Sequence, residues 1–121
     1  MLSLKKINAY LSNVLDARTI SDEIGDITKP KLGGSVSITL EEDYEIIFTE
    51  IYAVKMLNDY IDGVFKDYQL SYLCDCLLLS EKVIFTSKVV EESVEEMTDF
   101  EINGYLTKDK AMGIIKILST Y

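Results

Sequence analysis

Eleven consecutive residues, Glu91–Glu101, read EESVEEMTDFE and hold six carboxylates with no base among them. Carboxylates at this density could hold a hard cation, exchange protons or attract a cationic surface. Spacing bears on the choice. At about 100° per residue, Val90, Val94 and Met97 share one side of a helix, while Glu91, Glu92, Glu95 and Glu96 lie between about 100° and 240° from Val90. Four acids therefore line the face opposite an apolar stripe. Glu91/Glu95 and Glu92/Glu96 are like-charged i, i+4 pairs, each costing about 0.2–0.5 kcal/mol in an isolated helix. Such a face suits either of two roles, a solvated surface that keeps the chain soluble or a docking face for cationic residues. Asp99 and Glu101 extend it, and Tyr105, beside the turn signal Asn103-Gly104, offers rigid apolar area with a hydroxyl.

Other chemistry finds little support in the sequence. The chain has no histidine, which removes the commonest general base, the Ser-His and Cys-His nucleophile pairs and most zinc sites. Cys74 and Cys76 are too close in sequence for an ordinary structural disulfide and point about 200° apart on a helix, so they cannot share a metal. They read as one buried and one half-exposed thiol. Asn58–Gly63, NDYIDG, places Tyr60 and Gln69 where a calcium loop needs carboxylates, and Lys29–Gly34, KPKLGG, lacks the order of a phosphate-binding loop. Asp59 and Asp62 could exchange protons in principle, but acids this abundant pair by chance. No catalytic residue, metal set or cofactor is expected.

Charge narrows the partners. Of the net −9, residues 41–107 carry −12, with sixteen acids against four bases, while residues 1–40 carry +1 and residues 108–121 carry +2. Such a field opposes nucleic acid and anionic membrane and favours a basic protein partner. The longest apolar stretch, Leu77-Leu78-Leu79, falls far short of a membrane span, and the amphipathic start MLSLKKINAYLSN lacks the plan of a signal peptide. A cytoplasmic protein of one domain, residues 1–121, is expected.

The elements that position these residues are mostly helical. Leu4, Ile7, Leu11, Val14 and Leu15 set a helix over 3–17 with Ser3 as N-cap. Gly25, Pro30 and Gly33-Gly34 mark an irregular connection near 19–40, with room for one helical turn, in which Val36, Ile38 and Leu40 alternate as a short strand would. Thr39-Leu40-Glu41-Glu42 fits a capping box opening a long helix to Ile61, with Tyr44, Ile47, Phe48 and Ile51 inward and a central place in the core. Asp62-Gly63 stops it, and a second pattern through Tyr68, Tyr72, Leu73 and Leu77 runs to Ser80. Val83–Thr86 has strand propensity. Helices follow over 88–97 and after a Thr107 cap, the last with Ala111, Ile114, Ile115 and Leu118 inward. The expected fold is all-α, a compact bundle of about five helices with an irregular loop and a short β element. Tyr52, Tyr60 and Tyr105 lie off the core stripes.

Residues 72–118, from YLCDCLLLSEKVIF through VVEESVEEMTDFEINGYLTKDKA to GIIKIL, resemble small bacterial immunity proteins of contact-dependent growth inhibition systems. DFEINGYLTKDKA, Asp99–Ala111, is most similar, although no residue role carries over. The resemblance implies a cytoplasmic protein that binds and neutralises a cognate toxin domain. Such toxins are often basic nucleases, whose substrate-binding surface an acidic inhibitor can cover. The expected contact residues are Glu91, Glu92, Glu95, Glu96, Asp99, Glu101 and Tyr105. Two alternatives share the composition: an acidic nucleic-acid mimic that inhibits a defence enzyme, and a small carboxylate-dependent hydrolase.

Overall fold

The computed structural model describes residues 2–25, 40–98 and 106–120. These residues are mostly helical and contain six helices and four short strands. β1 (Leu2–Ser3) leads into α1 (Leu4–Leu11), followed by α2 (Ala17–Ile24), β2 (Leu40–Glu41) and β3 (Ile46–Phe48). Then come α3 (Glu50–Ile61), α4 (Asp67–Leu79), β4 (Val83–Phe85), α5 (Lys88–Thr98) and α6 (Lys108–Leu118).

Local chemistry sets the helix ends. The Ser3 hydroxyl accepts from Lys6 N at 3.1 Å and that of Thr107 from Lys110 N at 3.1 Å, each satisfying an amide that has no partner within the helix. α3 ends at Ile61, and Gly63 follows with φ +84°, a left-handed conformation that glycine adopts without a Cβ clash. α4 is the most enclosed element: Gln69, Leu70, Ser71, Leu73, Cys74, Cys76 and Leu77 are all buried, against Ala53, Met56 and Leu57 in α3. The helix ending at Ile61 takes the central place expected of it, touching α1, α4, α5 and α6, while α4 buries more of its own side chains. Enclosure on more than one side also buries both cysteines, where one half-exposed thiol was expected.

The long helix expected from residue 40 begins only at Glu50. Ahead of it, Ile46, Ile47 and Phe48 form β3, which pairs in parallel with β4 in the register Ile46↔Val83, Ile47↔Ile84 and Phe48↔Phe85. Ile46 and Phe48 turn inward and Ile47 outward, the alternation of a strand. Phe48 meets Tyr52 and Phe85 edge to face at centroid distances of 5.9 and 5.4 Å. Tyr44, Ile47 and Ile51, expected inside, are exposed instead. A second parallel pair joins Leu2 to Leu40 and Ser3 to Glu41, so Leu40 belongs to a strand, whereas Thr39 and the rest of the alternating run lie outside the described residues.

The first helix also stops earlier than its periodicity suggests. It ends at Leu11, Asn13 takes φ +65°, and Val14, expected inward, is exposed. Part of the expected irregular stretch is instead α2, capped by Asp16, whose carboxylate accepts from Arg18 N at 3.0 Å, and anchored by buried Ile20 and Ile24. Gln69 holds that helix to α4: its amide donates to Gly25 O at 3.2 Å while its Oε1 accepts from Lys66 N at 2.9 Å.

Candidate protein-docking face

α5 buries Val90, Ser93, Val94 and Met97, packing most extensively on α4. Cys74 Sγ lies 3.7 Å from Met97 Sδ at the centre of that contact. Hydrogen bonds fasten both ends of the helix. Ser87 Oγ accepts from Val90 N at 3.2 Å at the start. At the other end the Thr98 hydroxyl donates to Asp75 Oδ1 at 2.6 Å and lies 2.8 Å from Ser71 Oγ. The opposite face is thereby held in one orientation, and it carries Glu91, Glu92, Glu95 and Glu96, all exposed. The structure thus brings together four of the seven residues expected to contact a partner. Asp99, Glu101 and Tyr105 lie outside the described residues.

Charge is placed on this helix against local preference. Glu95 and Glu96 sit in the last turn, where the helix dipole favours cations, and no base occupies that turn. The i, i+4 pairs add repulsion of about 0.2–0.5 kcal/mol each. An ion pair on the face, Lys88 Nζ to Glu92 Oε1 at 4.0 Å, is solvent-exposed and adds little. Helix stability alone would select lysine at 95 or 96.

Elsewhere, several side chains capable of chemistry are engaged in the fold, whereas Asp62 is exposed. Asp59 accepts from the Tyr10 hydroxyl at 2.5 Å and lies 3.7 Å from Lys55 Nζ. Burial, reinforced by the neighbouring Asp75 carboxylate, drives both thiols away from ionisation, raising Cys76 to about 12 and Cys74 well above its ordinary value. Thiolate is the nucleophilic form. The Tyr60 hydroxyl donates to Leu106 O at 2.8 Å, tying α3 to the start of α6, and Tyr52 packs on Phe48. Among the described residues no three histidine, cysteine or acidic side chains are grouped to hold a metal, and no helix is long and apolar enough to cross a membrane.

One surface feature escaped the sequence reading. Five of the eight large exposed hydrophobic residues described, Tyr44, Ile47, Ile51, Leu79 and Ile84, come from β3, β4 and the residues flanking them. The signal was present in two short β-branched runs, EIIFT and KVIFT, but their pairing across 34 residues of intervening chain is not local information. Comparison of the chain with family models, curated proteins and solved structures finds no match.

Proposed function

We propose that this chain is an inhibitory binding protein of the immunity type, which docks a basic toxin domain, most simply a nuclease, and covers its substrate-binding surface. The observation that carries this proposal is the α5 face: four exposed carboxylates on a helix fastened at both ends, with two of them where the helix itself disfavours acid. Two further facts support it. The −12 charge of residues 41–107 would steer a cationic partner at long range, and residues 72–118 resemble immunity proteins of contact-dependent growth inhibition. In this role the protein acts in the cytoplasm of the cell it protects, needs no cofactor and turns over no substrate.

The test is co-expression with a candidate toxin domain from an adjacent gene. A stable complex with loss of toxin activity is the expected result. Full toxicity with no complex, while the protein remains folded and abundant, would contradict the proposal.

A further inference from the structure

Four glutamates supply charge but little apolar contact area. A stable protein interface also needs a desolvated apolar centre, depleted of charge, that carries most of the binding energy. Among the described residues, the exposed apolar side chains concentrate around the β3–β4 pair. Ile47 and Ile84 are register partners on adjacent strands, about 4.8 Å apart along the hydrogen-bonding direction. Both point away from the core, with 50% and 47% exposure. Their neighbours Ile46, Phe48 and Val83 are buried, so the outer pair stands on a packed base.

The surroundings of this pair are acidic. Residues 41–50 contain Glu41, Glu42, Asp43, Glu45 and Glu50 and no base. Glu81 precedes β4, and the one ammonium there, Lys82 Nζ, donates to Glu42 O at 2.8 Å. Two of the acids have structural duties: Glu42 Oε1 accepts from Ser80 Oγ at 2.5 Å and Asp43 Oδ1 accepts from Lys5 N at 3.0 Å. Both bonds pin the approach to β3. Glu41, Glu45, Glu50 and Glu81 are exposed. Six carboxylates outnumber the neighbouring bases, the engaged Lys82 and the Lys5 that adjoins Asp43, so the region opposes a second copy of a chain carrying −9 and complements a cationic one.

We propose that the outward Ile47–Ile84 pair on β3–β4 is the apolar anchor of the partner interface and takes a partner segment that combines apolar with lysine or arginine side chains. This rests on the reading of the partner as basic and extends its contact surface beyond α5. The two patches are close along the chain: Ile84 to Ser87 spans at most about 10 Å and Ser87 to Glu91 about 6 Å of helix. A partner footprint of about 800 Å², roughly 30 Å across, is wide enough to include both.

The test is a nitrogen-15 NMR titration of the full chain with three capped hexapeptides: alternating lysine–valine, hexalysine and alternating serine–valine. Lysine–valine should shift the Ile47 and Ile84 amides and bind there at least tenfold more tightly than either control. The double variant Ile47→Thr/Ile84→Thr, which keeps β-branching, should lose that binding at least tenfold with its melting temperature little changed. If the pair of threonines unfolds the chain, each single variant should weaken binding severalfold. Silent Ile47 and Ile84 amides would overturn the proposal, as would serine–valine binding as tightly as lysine–valine, or hexalysine doing so. Wild-type dimerisation abolished by the double variant would assign the face to a second copy and overturn it too. Hexalysine shifts confined to Glu91–Glu96 would sink this anchor and leave the docking face standing. Lysine–valine shifts at β3–β4 with α5 silent would retain the anchor and count against the α5 face.

Discussion

Tyr10 of α1 donates its phenolic hydrogen to Asp59 of α3 at 2.5 Å, across 49 positions of sequence, while Lys55 Nζ lies 4.7 Å from the centroid of the same tyrosine ring. Lys55 also pairs with Asp59 at 3.7 Å, so one buried aromatic ring, one carboxylate and one ammonium bind two helices together. Tyr10 meets Phe65 edge to face at 5.7 Å, which extends the contact into the core. Burial and the bond to Asp59 push the Tyr10 phenol upward, so its neutral, donating form persists well above the ordinary range.

Tyr10→Phe keeps the ring and its cation contact and removes only the hydrogen bond to a charged acceptor. The expected loss is about 1.5 kcal/mol, since Asp59 retains Lys55, which for a domain of this size lowers the melting temperature by about 5 °C. A double-mutant cycle with Asp59→Asn should show coupling, because the two residues touch. Additive effects measured by denaturant melts would mean that the bond contributes nothing.

Both thiols are buried, and burial raises Cys76 to about 12. At pH 8 the native protein should therefore resist iodoacetamide, whereas in the unfolded chain thiols near pKa 8.5 react readily. Mass spectrometry along a urea series should show both cysteines becoming labelled together with the loss of helical circular dichroism. Rapid alkylation of Cys76 in the folded protein would contradict its position in α4.

Glu23 accepts from Lys6 Nζ at 2.8 Å, and this bond holds its carboxyl below the ordinary value despite some opposition from burial. A depressed folded pKa contributes stability above the unfolded pKa and loses it as pH falls through the folded one. Wild type should therefore exceed Glu23→Gln in melting temperature by a constant small margin from pH 7 to about 5, shrinking below about pH 4.3. A margin that grows on acidification would reverse the sign and refute the pair.

Long-range steering by the acidic middle of the chain predicts a salt-sensitive association rate. Between about 0.02 and 0.5 M salt the on-rate for the proposed basic partner should fall by tenfold or more while the off-rate changes less. Stopped-flow measurements that show a flat on-rate would leave the charge with solubility alone.

How much of this was legible beforehand follows from which information is local. Val90, Val94 and Met97 are buried and the four glutamates between them exposed, because a helix periodicity over ten residues needs no distant partner to be read. Ser3, Asp62-Gly63 and Thr107 marked helix ends for the same reason. Ile46–Phe48 was misread as helix because Tyr44, Ile47, Phe48 and Ile51 satisfy a helical spacing as well. The strand is stabilised by Val83–Phe85, beyond two helices. α2 is longer than the single turn that its sequence suggests, because only Ile20 and Ile24 anchor its eight residues and Asp16 is the available signal. The pairing of Tyr10 with Asp59 likewise depends on α1 packing against α3, which no local pattern reports.

The most direct measurement is the dissociation constant for a candidate basic toxin domain, if one is encoded beside the gene, for wild type and for the variant Glu91→Gln/Glu92→Gln/Glu95→Gln/Glu96→Gln. Glutamine preserves size and helix propensity, and relief of i, i+4 repulsion should hold or slightly raise the melting temperature. If α5 is the docking face, calorimetry should show binding weakened by at least about 3 kcal/mol, more than a hundredfold, as expected when several close interfacial charge pairs are removed. Cells making the soluble variant would then lose protection. An unchanged dissociation constant with full protection would contradict the assignment of α5 as the surface that meets the partner.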